Sequence, residues 1–294
     1  MKQAEEAGAK VINQCSGENS VGFLKEIAKA IIDSGKAKKV AGYDEFAASV
    51  ASVKVSDEAK AIADQYLAAK KAMIVYQQNF LTVAGATLVA DIAMLSGHIG
   101  TPRDGILQVK AKNNSQGLID MGITAGKEAL EGVKALVVFG ENADIDTEAL
   151  EFLAVCDTHM TELGAKADVV IPGTGFASVD GTFTNTERRM QLVEAAIDED
   201  ILFSNWEVAA EIAHVFEVDF EWDGTDDISD EMSDAVDAYK YAQLNEVLGG
   251  VLKPADGAAL VAVADGPVVE ELPCTDSLMQ IIMQRLPKPA NPTA

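Results

Sequence analysis

The stretch VCDTHMTELGAKADVVIPGTGFASVDGTFTNTERRMQLVEAAI, Val155 to Ile197, decides how this chain is read. Its apolar runs predict a buried strand ending in Asp157, a short helical turn and a second strand from Ala167 to Ile171. A loop crowded with small and hydroxyl side chains follows. Gly173, Gly175 and Gly181 allow a ligand closer to the backbone than a Cβ would. Thr182, Thr184, Asn185, Thr186, Glu187, Arg188 and Arg189 set hydrogen-bonding groups side by side. Two readings stand here: a polar loop whose side chains satisfy their own backbone, or a loop that holds a ligand.

Upstream, Lys134 to Phe139 (KALVVF) is a continuous apolar run of the kind buried on both faces of a parallel sheet. It ends in Gly140-Glu141-Asn142, and a helix is predicted to begin near Asp146-Thr147-Glu148. Small and polar residues at the carboxyl end of a parallel strand, ahead of a helix N-terminus, make a usual phosphate site. Asp157 ends the following strand, where an acid can bond ribose hydroxyls. The GxGxxG fingerprint is missing, so a plain dinucleotide-binding domain is poorly supported.

The order Asp168-Val169-Val170-Ile171-Pro172, then Phe176-Ala177 and Asp180-Gly181-Thr182-Phe183-Thr184-Asn185-Thr186-Glu187-Arg188-Arg189, resembles the signature of the molybdopterin oxidoreductase superfamily. Within it the chain is similar to the formate dehydrogenase large subunit and to the large, cluster-carrying subunit of NADH dehydrogenases. Lys112-Asn113-Asn114-Ser115-Gln116-Gly117 with Asp120-Met121-Gly122 resembles a second family segment. Leu95 to Gly100 resembles a third, with His98 where an amide is usual. The resemblance covers roughly residues 20 to 215. It implies an α/β fold, an open and mostly parallel Rossmann-like sheet flanked by helices, over residues 1–217. Residues 218–294 are then an acidic loop and a C-terminal extension.

The resemblance also implies a ligand. In relatives that hold a bis-guanine-dinucleotide pterin, segments like Gly140-Glu141-Asn142, Asp157-Thr158, Asp168 and Thr186-Glu187-Arg188 contact one guanine dinucleotide arm. A carboxylate can accept both the N1 and N2 protons of guanine, and threonines and backbone amides can bond the pyrophosphate. Several residues have a structural alternative. Asp168 can cap the turn before it, Arg188 and Arg189 can pair with Glu187 or Glu194, and the Asn113-Asn114 amides can hold their loop by Asx turns.

Catalytic members of the family carry, ahead of this region, cysteines for an iron–sulfur cluster and a Cys, selenocysteine or Ser that ligates molybdenum or tungsten. They also carry a C-terminal barrel-like domain, and this sequence matches neither part. Cys15, Cys156 and Cys274 are too scattered for a cluster motif or a disulfide framework. Cys156 with His159 is only half a metal site, and His98 has no second ligand at metal-binding spacing. No metal ligand and no catalytic residue is assigned.

The expected function is therefore an accessory or scaffold subunit of a multi-subunit redox complex related to NADH dehydrogenase or formate dehydrogenase. It would have no cofactor of its own and would pack against iron–sulfur and flavin subunits. The alternative is one half of a split molybdopterin oxidoreductase subunit, binding one arm of a molybdopterin guanine dinucleotide.

The 294 residues allow one large or two ordinary domains, and 48% of them are hydrophobic. The net charge of −24, from 47 acidic and 23 basic residues, would repel nucleic acid and anionic membrane. No apolar run is long enough for a membrane span and no leader is visible, so a cytoplasmic location without membrane insertion is expected. Nine acids and no Lys or Arg lie between Val218 and Ala238, read as a solvated loop or a docking patch for a basic partner.

Helical spacing predicts helices from Ser20 through Ile32 and from Ser56 to Ala69. The opening residues predict a short helix running into a strand. Lys71 to Tyr76 predicts a strand, followed by a helix ending near Ser96-Gly97-His98. Glu231–Leu248 and Asp276–Arg285 are predicted helices, and Ala258–Ala264 a predicted strand.

Overall fold

A computed structural model describes residues 2–13, 20–123, 127–197, 203–237, 239–240 and 254–264. The chain divides into two compact units, residues 1–111 with 251–294, and residues 112–250. The first unit is built on helices. After α1 (Lys2–Glu6) come α2 (Ser20–Asp33), α3 (Tyr43–Val50), α4 (Asp57–Ala68) and α5 (Val83–Ser96). Ile27, Ala28 and Ile31 of α2 pack with Phe46 and Val50 of α3, Ala59 and Ala63 of α4, and Leu88, Ile92 and Leu95 of α5. This is the i, i+3, i+4 apolar spacing turned inward. Ser56 Oγ accepts the Ala59 N–H at 3.2 Å and Thr82 Oγ1 accepts that of Gly85 at 3.1 Å, capping α4 and α5.

Helix α5 connects β1 (Met73–Gln77) to β2 (Gly105–Val109), which pair in parallel with Met73 opposite Gly105. The turn before β2 is held by Asp104. Its carboxylate accepts from Thr101 Oγ1 at 2.6 Å, Lys71 Nζ at 2.9 Å and the Ala72 N–H at 2.8 Å, and it lies 3.1 Å from His98 Nδ1. Burial opposes the charge, but these donors outweigh it and hold the carboxyl below the usual carboxylate range. His98 Nε2 lies 2.9 Å from the Tyr66 carbonyl oxygen, to which it donates. The histidine is thus a buried part of this turn.

The second unit holds a three-stranded parallel sheet in the order β3 (Ala135–Phe139), β4 (Phe152–Asp157), β5 (Val169–Pro172). An antiparallel hairpin, β6 (Gly181–Thr184) with β7 (Met190–Val193), accompanies α6 (Ser115–Asp120), α7 (Asn205–Val215) and α8 (Thr225–Ala235). The fold is therefore α/β with parallel sheets flanked by helices. The parallel strands divide between two sheets, one in each unit. Among the described residues no helix is long and apolar enough to cross a membrane.

Several local expectations change. The strand expected after the opening helix is not seen among the described residues, where residues 9–13 are largely exposed. The helix predicted near Asp146 is absent. Asp146 Oδ1 instead accepts the Glu148 N–H at 2.9 Å in an Asx turn, and Ile145 and Leu150 pack the connection onto Leu153, Val155 and Leu163. Residues 258–264 are not a strand either. The Leu260 N–H reaches the Ala41 carbonyl at 2.9 Å and the Val261 N–H reaches Asp91 Oδ1 at 3.3 Å, so their partners are a loop and a helix side chain.

The division into compact units falls at 111/112 and 250/251. Met232, Val236 and Tyr239 pack with Met190 of β7, which ties the acidic segment to the second unit. The predicted 231–248 helix is represented by the end of α8, and residues 241–250 lie outside the described residues, as does the predicted helix 276–285.

Asp91 yields a prediction. It is 1% exposed in α5, its Oδ2 has no hydrogen-bond partner, and burial pushes its pKa up to about 6 against the opposing bond from Val261. The folded state therefore holds a proton that the unfolded chain releases at lower pH, so stability falls as pH rises from about 4 to 6, by about 3 kcal/mol in all. Asp91→Asn removes the charge and keeps the acceptor. Urea unfolding should show it more stable than the parent at pH 7.5 by roughly 1–3 kcal/mol, with the slope between pH 4 and 6 flattened. A variant less stable than the parent at pH 7.5 sinks this account.

Candidate functional site

Two groups of the sequence-selected residues are positioned in the second unit. The first is the tip of the β6–β7 hairpin. Thr184 ends β6 and Met190 begins β7, leaving residues 185–189 to turn the chain. Asn185 organises that turn. Its Oδ1 accepts the N–H groups of Glu187 at 2.9 Å and Arg189 at 3.0 Å, while its backbone exchanges bonds with Arg188 and Arg189. Arg188 sits at φ 59°, a left-handed conformation that disfavours a side chain. Its guanidinium is anchored, with Nε 3.1 Å from Asp120 Oδ2. Thr186 and Glu187 occupy the turn itself, and the Glu187 carboxylate lies 4.0 Å from Arg189 Nε.

Asp120 belongs to α6, and this joins the two motifs read from sequence. Gln116 Nε2 donates to Asp120 Oδ1 at 2.9 Å. Asn114 Oδ1 accepts the Thr184 N–H at 2.9 Å, and Thr184 Oγ1 is 2.7 Å from the Tyr239 hydroxyl. Thr184 and Tyr239 are both buried, and burial pushes the tyrosine pKa up, with Thr184 opposing. Gly117 makes this geometry possible: a Cβ there would lie 2.4 Å from Asn114 Oδ1. Any larger residue must displace the carboxamide from Thr184.

The second group is the carboxyl edge of the three-stranded sheet. Gly140 follows β3 at φ 60°, and its N–H donates to the Cys156 carbonyl at 2.8 Å. Glu141 pairs with Lys112. Asn142 Oδ1 accepts the Leu163 N–H at 3.3 Å. Asp157 ends β4 with its side chain 9% exposed, and its Oδ1 accepts the Thr158 N–H at 2.7 Å. His159 Nδ1 lies 3.1 Å from Thr158 Oγ1 and 3.6 Å from Asp157 Oδ1. Lys112 touches this edge and Asn114 touches the hairpin, so the segment opening the second unit runs between the two groups.

Asp168 is not with them. It precedes β5 at the opposite end of the sheet, where its Oδ2 accepts the Leu153 N–H at 2.8 Å. That is the turn-holding alternative left open in the sequence. Cys156 is fully buried with Sγ 3.7 Å from Asn205 Oδ1. Burial first, then the neighbouring Asp157 charge, pushes its thiol pKa up, which disfavours the nucleophilic thiolate. Among the described residues no group of three or more His, Cys, Asp or Glu could hold a metal ion.

Tyr239 and the role of Gly117 were missed from sequence. Tyr239 carries no local signal, since it meets Thr184 across 55 positions. Gly117 could have been read from its place three residues after Asn114, where an Asn side chain folds back over a helix start.

A family model described as molybdopterin oxidoreductase matches residues 7–214. Among curated relatives, the F420-dependent formate dehydrogenase 1 subunit alpha of Methanococcus maripaludis is 31% identical over 42% of this chain and 25% of its own length. The F420-dependent formate dehydrogenase 2 subunit alpha of the same organism is 26% identical over 75% of this chain and 43% of its own. Formate dehydrogenase H of Escherichia coli is 26% identical over 60% and 32%. The chain thus spans less than half the length of these relatives.

The motif junction predicts coupled energetics. Asn114→Ala strands the buried Thr184 N–H, and Gly117→Ala ejects the same carboxamide, so each should cost about 1–3 kcal/mol. Because both break one bond, the double variant should cost little more than either single one. Chemical unfolding of the three variants measures this, and simple additivity would count against the shared bond.

Proposed function

The chain belongs to the molybdopterin oxidoreductase family, and from that premise we propose that it acts as a non-catalytic α/β scaffold subunit in a cytoplasmic redox assembly of the formate dehydrogenase or NADH dehydrogenase kind. In this reading partner chains carry the iron–sulfur clusters and flavin. The observation that carries it is how the candidate ligand-binding side chains are used. Asp168 is committed to Leu153, Asn142 to Leu163, Glu141 to Lys112 and Arg188 to Asp120. Groups that would have to face a guanine dinucleotide arm have partners within the chain, Asp168, Asn142 and Arg188 in partly buried bonds and Glu141 in a solvent-exposed pair. A partly buried group taken from its bond leaves a costly orphan.

One observation favours a second reading. Asp157 stands at the carboxyl edge of a parallel sheet beside Gly140, where a Cβ would meet nothing within 4 Å. Open α/β sheets hold their ligands at this edge. The residues there fit a guanine dinucleotide in part: Asp157 could take the guanine N1 and N2 protons, and the Thr158 hydroxyl could bond the pyrophosphate. The pterin, when bound, would supply the metal ligation and the redox chemistry. The residues of this chain would only bind and orient it.

The two readings separate on one measurement. The chain is isolated within its native assembly without added cofactor, and its guanine nucleotide, molybdenum and tungsten are assayed after acid extraction. The scaffold reading expects no guanine nucleotide above that of an unrelated protein. Near-stoichiometric guanine nucleotide that is lost in Asp157→Ala would overturn it in favour of the second reading.

A further inference from the structure

Helix α7 ends in an unusual way. The Glu217 N–H donates to the His214 carbonyl at 2.9 Å and the Val218 N–H to that of Ala213 at 3.0 Å, a Schellman arrangement in which glycine normally takes the left-handed position. Here Glu217 takes it, at φ 62°. A side chain held in this region is strained, and such strain concentrates where function requires the residue.

The turn opens onto an apolar strip. Val215 is 77% exposed, Phe216 75%, Val218 48% and Phe220 40%. Single exposed apolar residues are ordinary, but four within six positions are not. Phe220 is also pre-set: its ring stacks on Trp222 at 4.0 Å and 7°, and the Trp222 indole donates to Glu231 at 2.7 Å. Rigid aromatic side chains lose little freedom on binding, which is why they anchor interfaces. Glu217, Asp219, Glu221 and Asp223 interleave with these residues, and Asp219 pairs with His214.

Charge selects the partner. Residues 190–239 carry sixteen Asp or Glu and no Lys or Arg. A second copy of the chain, a nucleic acid or an anionic membrane would bring like charge to this strip. A basic protein surface would be drawn to it, with the charges setting orientation and approach and the apolar groups supplying affinity.

We propose that residues 215–223 form a docking strip for a partner protein chain that presents an apolar cleft bordered by Lys and Arg. This rests on the reading of the chain as one subunit of an assembly and names the surface it would use. The test places a photo-crosslinking p-benzoylphenylalanine at Phe216 or at Phe220 in the full chain, with Phe80 in the first unit as the comparison position. The native assembly is irradiated, and the crosslinked residues are identified by mass spectrometry.

Both strip positions should crosslink to one other chain, at an apolar surface flanked by Lys or Arg. The double change Glu217→Lys with Asp219→Lys should lower that yield by about tenfold. Crosslinks to a second copy, to the chain's own residues or to a surface without basic residues overturn the proposal. So does their absence, or a yield indifferent to the charge reversal, while the chain still elutes with the assembly; the scaffold reading then survives. A chain that elutes alone overturns both.

Discussion

The second unit depends on the bond between the Asn114 carboxamide and the Thr184 backbone N–H. It joins two segments seventy residues apart, α6 and the β6–β7 hairpin, at a point buried from water. A buried N–H must find an acceptor, and among the described residues no strand lies beside Thr184 on that side to provide one. Asn114 serves because Gly117 leaves room for its side chain to fold back over α6. Around this bond the Arg188–Asp120 pair and the Thr184–Tyr239 hydroxyl contact complete a polar core, whose members each satisfy another.

The first unit treats its carboxyl groups in two opposite ways. Asp104 accepts from Thr101, Lys71 and Ala72 and lies beside His98 Nδ1, so its charge is favoured despite burial. Asp91 has a single backbone donor, and burial wins. Asp91 is more deeply buried and has fewer donors than Asp104, and this gives the two groups opposite consequences for stability as the pH changes. Asp104 contributes stability above the ordinary carboxylate range that is lost as pH falls, whereas Asp91 costs stability once the solution is alkaline enough to ionise it.

Much of the site was legible in part. The strand ending in Asp157 and the short turn before β5 follow from apolar runs and their limits, as does the Gly140 edge after KALVVF. The helix expected at Asp146 beyond Gly140 is absent. There Asp146 holds an Asx turn, and the twelve residues between β3 and β4 cross without a helix. Local propensity could not decide this, since an Asp ahead of Thr-Glu serves equally as a helix cap or a turn former.

By itself the sequence determined the α/β class and the family through the resemblance of its motifs, and its buried strands and helical faces through periodicity and residue types at short spacing. It also determined the strongly acidic character of residues 190–239, which is a matter of composition. Only the tertiary structure decided that Asp168 serves the fold at one end of the sheet while Asp157 stands at the other. It also decided that the two motifs meet through Asn114 and Asp120. The physical reason is that a polar side chain's role is set by which unsatisfied donor or acceptor comes within about 3 Å of it, and folding brings those partners from tens of residues away.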